Sequence, residues 1–200
     1  MRSCEVLLHF SFSDRPLRSK LGSSKLLNFV SFQFTWFACV LGAVWGFPLL
    51  GVLAALTLGG MSVLSSRDPK RELFFILIAA VLGTALDLIP LSFGAFSFVV
   101  ETRLPWGYPL WMSAIWVGFA ATFGSSLSWL SDRYALSALL GFVGGPLAYL
   151  GGQSLGAIAL GENYWWSMLL IGCFWAVVTP LLFFLRSFLM VGLGCQKNRT

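Results

Sequence analysis

The sequence predicts an all-α fold: a polytopic transmembrane bundle of six helices with cytoplasmic N- and C-termini. Three observations predict it. The 200 residues are 58% hydrophobic and only 10% charged, with a mean hydropathy of +0.83. A soluble domain carries about 25% charged residues, so this chain has too little polar surface to be wetted all round. Its apolar runs approach the roughly 20 residues that a helix needs to cross a bilayer, and they are too long and uninterrupted for barrel strands of about 10 residues. Finally, the cations sort to one side of the alternating spans.

Residues 1–25 hold Arg2, Arg15, Arg18, Lys20 and Lys25, with a proline and several serines. They read as a flexible basic cytoplasmic tail, since "EVLLHF" carries a glutamate and is too short for a signal-peptide core. The six-helix transmembrane domain covers 26–186. Its first span is expected over 26–44, followed by "WGFP" as a tight turn, because proline breaks the helix and glycine frees the backbone. The second covers 47–64, and "SSRDPKRE" is a charged loop. The third runs over 73–93, and a semi-apolar loop leads to the fourth over 108–130. "SDR" is a short turn before the fifth span, 135–160; the sixth covers 164–186. Residues 187–200 form a cytoplasmic C-terminal tail.

Loops on the cytoplasmic side carry excess Lys and Arg. With the N-terminus inside, Arg2, Arg15, Arg18, Lys20, Lys25, Arg67, Lys70, Arg71, Arg133, Arg186, Lys197 and Arg199 all lie inside, and only Arg103 lies outside. The net charge of +5 is therefore topological. It forms no basic stripe with interleaved aromatics, and no nucleic-acid partner is expected. Indole prefers the membrane interface. Trp45, Trp106, Trp111, Trp165 and Trp166 fall near the outer interface and Trp129 near the inner one, while Trp36, Trp116 and Trp175 lie deeper, for packing or for stacking on a ligand.

Asp87 is the residue the solvent does not explain. It stands inside "GTALDLIP", about 21 Å of helix from the inner end of span three at 1.5 Å per residue. A helix-centre Asp costs about 2.5–3.5 kcal/mol on insertion scales. Ala80, Gly83 and Thr84 share its stripe. Two readings stay open. In the structural one, Asp87 is satisfied by Trp or Tyr donors, by Gln153 or by water. In the functional one, Asp87, Thr84 and Gln153 mark an outward polar pocket with Glu101 and Arg103 at its entrance, and Asp87 is a proton or cation handle.

Span five carries a small-residue ridge, Gly141, Gly145, Ala148, Gly152 and Gly156, suited to close helix packing within the chain or to a homo-oligomer. At the inner face Arg67, Lys70 and Arg71 are candidate contacts for anionic lipid headgroups; the plainer reading is a solvated loop that sets topology. Asn28, Gln33, Thr122, Ser125 and Ser126 are interhelical glue or the lining of an inner vestibule. Catalytic motifs are missing: there is no phosphate loop, no HExxH and no GxSxG. "GSS" at 124–126 has no histidine in the spans to act as base, since His9 is the single histidine. Cys4, Cys39, Cys173 and Cys195 form no CxxC pair, so neither a disulfide framework nor a metal site is indicated. No cofactor is implied.

The segments "NFVSFQFTWFACVLGA", "SRDPKRE", "GTALD", "PLWM" and the run from Leu140 to Ile158 resemble the domain-of-unknown-function 2878 family, over about Leu27 to Phe184. The resemblance implies a multi-pass protein of the bacterial inner membrane, whose genes can lie near fatty-acyl-modifying enzymes. It implies that residues 1–25 extend beyond the usual start, and it supplies no catalytic residue, cofactor or substrate. The leading expectation is a non-enzymatic transporter-like or accessory protein, embedded in the lipid bilayer and acting on a lipid or small hydrophobic compound. Two alternatives stand beside it: a membrane-embedded enzyme modifying an acyl chain or headgroup, and a scaffold that binds a partner protein through the span-five ridge. The halves show no inverted repeat, which weakens the secondary-transporter reading.

Overall fold

The computed structural model describes residues 15–100 and 108–191, with the side chains of 24–100 and 108–190. Six α-helices are present: α1 Arg15–Val44, α2 Pro48–Ser65, α3 Pro69–Ser92, α4 Leu110–Phe123, α5 Tyr134–Ser154 and α6 Tyr164–Val191. Five of them are long and apolar enough to cross a membrane. Only 22% to 33% of each long span is buried within the protein. Leu64, Val81, Phe34 and Trp165 are each more than 70% exposed. Apolar surface on that scale belongs against hydrocarbon.

Three helices end in the same way. After α1, α3 and α5 a glycine takes a positive φ: Gly46 at 81°, Gly94 at 68° and Gly156 at 84°. Each closes a paired bond pattern, for example Ala157 N–H to Gly152 C=O at 3.0 Å and Gly156 N–H to Gln153 C=O at 2.9 Å. This is the Schellman motif, which satisfies the last carbonyls and needs a residue without a Cβ penalty. It turns the chain sharply, and α5 stops at Ser154 instead of running to 160.

The chain beyond two of these turns forms a two-stranded ribbon. β1 Phe96–Phe98 pairs antiparallel with β2 Ile158–Leu160, Ser97 opposite Ala159. Both segments were expected to be loop or helix. Three-residue strands carry no periodicity to read. The ribbon covers one end of the bundle, here named the ribbon end.

α4 also departs from expectation. It has 14 residues, about 21 Å, where a span over 108–130 was expected. It stops at Gly124, and a 3-10 turn follows at Ser128–Leu130. Nine of its residues are buried, because it is the central helix, packed against α1, α2 and α3. Its end inside the bundle is possible because its carbonyls find partners: Asn28 Nδ2 donates to Ala121 C=O at 3.3 Å, and Ser62 Oγ donates to the same oxygen at 3.4 Å. At the N-terminus α1 begins at Arg15, so 15–25 continue the helix instead of forming a separate tail. Residues 1–14 and the tail from 192 lie outside the described residues, and α6 runs past the expected end at 186.

Candidate functional site

Asp87 is wholly buried on α3. One turn earlier, Gly83 leaves room for the indole of Trp116 on α4; a Cβ there would collide with the ring. That close approach brings Trp116 Nε1 to Asp87, donating to Oδ2 at 2.8 Å. Tyr108 OH donates to the same oxygen at 2.7 Å, and Tyr149 OH on α5 donates to Oδ1 at 3.1 Å. One carboxylate thus gathers three aromatic donors from three parts of the chain. No cation pairs with it among the described residues, whose two ion pairs are Arg71–Asp68 and Arg186–Glu72. The ribbon holds the tyrosines from behind: Phe96 meets Tyr149 edge-on at 4.8 Å, and Phe98 meets Tyr108 at 5.4 Å.

From Trp116 the aromatic layer continues to Trp175 on α6, stacked at 4.9 Å and 7° between planes. Trp175 in turn lies on Gly145 and Gly141 of α5, where a Cβ would strike it. The span-five ridge is therefore occupied within the chain at these two positions. Gly152 faces Ile158 of β2 across 3.4 Å from where a Cβ would stand. Gly156 is not on the helix at all; it is the turn residue after it.

Beside this layer lies a cavity of about 650 Å³. α1 and α5 form its sides, and Ile115, Trp116 and Phe119 of α4 its floor. Phe29 and Phe37 on α1, and Leu140 and Leu147 on α5, line it and remain exposed, so it is a groove with a mouth between these two helices. Trp36 reaches across towards Gly151. Gly144 lines the groove and has open space in front of it. The polar side chains that contribute are few: Gln33, Thr179, and Asp87 behind its ring donors. Trp111 Nε1, Trp175 Nε1 and Thr179 Oγ1 are buried without a hydrogen-bond partner among the described residues, and all three residues line the groove.

The expected site residues scatter. Asp87 lines the groove, and its donors are Trp and Tyr side chains. Gln153 is exposed and Thr84 Oγ1 donates to Ser113 Oγ at 3.1 Å; neither lines the groove. Glu101 and Arg103, with Trp106, lie outside the described residues. Trp111, expected near the outer interface, is 3% exposed and part of the groove wall. Trp36, Trp116 and Trp175, the three deeper indoles, all line the groove. Arg67 and Lys70 are exposed. Arg71 is committed internally: its Nε pairs with Asp68 at 3.0 Å, and its Nη1 donates to Met190 C=O at 2.6 Å, tying the start of α3 to the end of α6.

The opposite end of the bundle holds a second buried carboxylate that pattern reading missed. Glu72, 1% exposed, accepts from Arg186 Nη2 at 2.5 Å and from Ser62 Oγ at 3.0 Å. Gly124 makes room for the pair, since a Cβ there would meet the guanidinium. Nearby, Asn28 Oδ1 accepts from Ser126 Oγ at 2.7 Å. Asn28 and Ser126 are thus glue between α1 and the turn after α4.

No curated protein and no solved structure matches this chain. One family's sequence model does match, over residues 25–181, and the chain belongs to that family, described as Protein of unknown function (DUF2878).

Proposed function

We propose that this protein is a non-enzymatic, transporter-like or accessory protein of the bacterial inner membrane that holds a lipid chain or small hydrophobic compound in the groove between α1 and α5. The observation that carries the reading is the groove itself. It is lined almost wholly by apolar side chains, it opens sideways between two helices, and it runs from Leu140 to Gly152 along α5, about 18 Å of helix. Ligand sites are typically concave and apolar, with a few placed polar groups, and Asp87 with its ring donors supplies that polar end.

In this reading all six helices cross the bilayer, α4 with the help of the turn and 3-10 segment after it. Both termini are cytoplasmic, which puts the Glu72–Arg186 end inside and the ribbon end outside, in keeping with the cation distribution. The non-enzymatic choice is supported by the lining: of the described carboxylates only Asp87 reaches the groove, so the acid–base pair that a hydrolytic or acyl-modifying enzyme needs within hydrogen-bond reach has one member.

The test is photolabelling of the purified full chain with a diazirine-bearing fatty acid. Labels concentrated on groove-facing residues of α1 and α5, and reduced by Gly144→Leu, are expected; Gly144 lines the groove and fronts open space at the Cβ position, so the leucine projects into the groove. Labels spread evenly over all lipid-facing helices, unchanged by Gly144→Leu, would overturn the reading.

A further inference from the structure

We infer that the occupant of the groove is a cationic amphiphile: an apolar chain lying between α1 and α5, with an ammonium-type head against the aromatic wall in front of Asp87. The inference rests on the ligand-binding reading above and adds the charge of the ligand to it.

Two observations carry it. The first is a missing charge. Asp87 is fully buried, with three neutral donors and no Lys or Arg paired to it among the described residues. A carboxylate removed from water needs a countercharge or a proton. Glu72 on the same helix has its arginine; Asp87 has an aromatic wall and, beyond it, empty space.

The second is what that wall is made of. Trp116 and Tyr149 both bind Asp87 and both line the groove; Trp116 has its faces against Gly83 and Trp175, and Trp175 against Trp116 and Gly145, so the rings left to meet a head group at this end are Tyr149, Trp36 and Trp111. Aromatic faces attract cations through the ring quadrupole, indole most strongly, and cages of such rings are how proteins recognise quaternary ammonium groups. By donating N–H and O–H to Asp87, Trp116 and Tyr149 also turn their polar edges to the carboxylate. A head group touching Tyr149 is one ring away from the charge. An anionic head would meet the same carboxylate with repulsion, and a neutral head would gain only the apolar contacts.

The experiment is a competition assay on the full chain in neutral detergent. Tritiated tetradecyltrimethylammonium is the bound probe. The competitors share its chain but carry a trimethylammonium, a glycerol or a phosphate head. The ammonium compound is expected to compete roughly tenfold better than the glycerol compound, with the phosphate compound weakest. Asp87→Asn is expected to bring the ammonium compound down to the level of the neutral one, and Gly144→Leu to weaken all three together. Equal competition by ammonium and glycerol heads, with Gly144→Leu still weakening both, would overturn the cationic inference and leave the groove reading standing. Probe binding that Gly144→Leu does not change would overturn both. If Asp87→Asn does not fold, the ranking of head groups on the unaltered protein decides the matter alone.

Discussion

Glu72 and Asp87 stand about four turns apart on α3, one near each end, and both are buried. Their surroundings differ in kind. Glu72 meets a guanidinium and a serine hydroxyl in a space that Gly124 opens for them. Asp87 meets two phenols and an indole and adjoins a cavity. Glu72 is therefore closed electrostatically: its charge is matched inside the chain, and it binds α3 to α6. Asp87 is satisfied in hydrogen bonds but unmatched in charge among the described residues. The contrast teaches that a complete hydrogen-bond shell is not evidence of a purely structural role. Which charge is missing, and what space lies beside it, are the more informative questions.

The largest expected effect breaks the closed end. Arg186→Ala leaves Glu72 buried without its cation, and breaking such a pair costs about 3–5 kcal/mol. Thermal unfolding of the purified protein should show most of the folded fraction lost. The double variant Glu72→Leu, Arg186→Leu should be more stable than Arg186→Ala, since the uncompensated charge is gone; a double variant as damaged as the single would mean that the pair does more than neutralise itself.

The open end should respond differently. Tyr149→Phe and Tyr108→Phe each remove one hydrogen bond to Asp87, at about 1 kcal/mol, while keeping the ring in the wall. Asp87→Asn should cost a similar amount and leave membrane insertion intact, yet remove the function scored in a deletion strain. A strain carrying Asp87→Asn that behaves like its parent would reduce Asp87 to a packing role. A reporter inserted in segment 101–107 should face the opposite compartment from one at the C-terminus; the same compartment for both would dismantle the orientation of the two ends.

The smallest effects separate two glycines of one segment. Gly144→Ala should stabilise by about 0.5–1 kcal/mol, because glycine is costly in a helix interior and the space in front of it is open. Gly156→Ala should destabilise by about 1 kcal/mol, because its φ of 84° is left-handed. Equal effects of the same sign would contradict the end of α5 at Ser154.

The first helices were legible because local signals bound them: Pro48 at the start of α2, and Gly46 and Gly94 past the ends of α1 and α3; Pro69, read as part of a charged loop, instead opens α3 four residues before the expected start at 73. The end of α5 was misread for a specific reason. Gly156 continues the four-residue spacing of Gly152, so a turn residue looked like one more step of a packing ridge. The ribbon was illegible because Phe96–Phe98 and Ile158–Leu160 are too short for a period of two to show. α4 read as a full span because the composition of 124–130 stays semi-apolar, while the contacts that let it stop early come from Asn28 and Ser62, far away in sequence. Asp87 stood out as a carboxylate in oil. Its partners did not, since Tyr149 looks like any aromatic in a glycine-rich helix and nothing local ties it to α3. The Glu72–Arg186 pair has the same character, with charges at two span ends read as loop charges.

The sideways mouth between α1 and α5 bears on how occupancy is set. In the proposed ligand-binding reading, a compound dissolved in the bilayer would reach the groove by diffusing within the leaflet, without returning to water. Its abundance per lipid, not its aqueous concentration, then governs how full the protein is. Diluting the protein into more lipid at fixed total compound should empty the groove, and enriching the membrane in the compound should fill it.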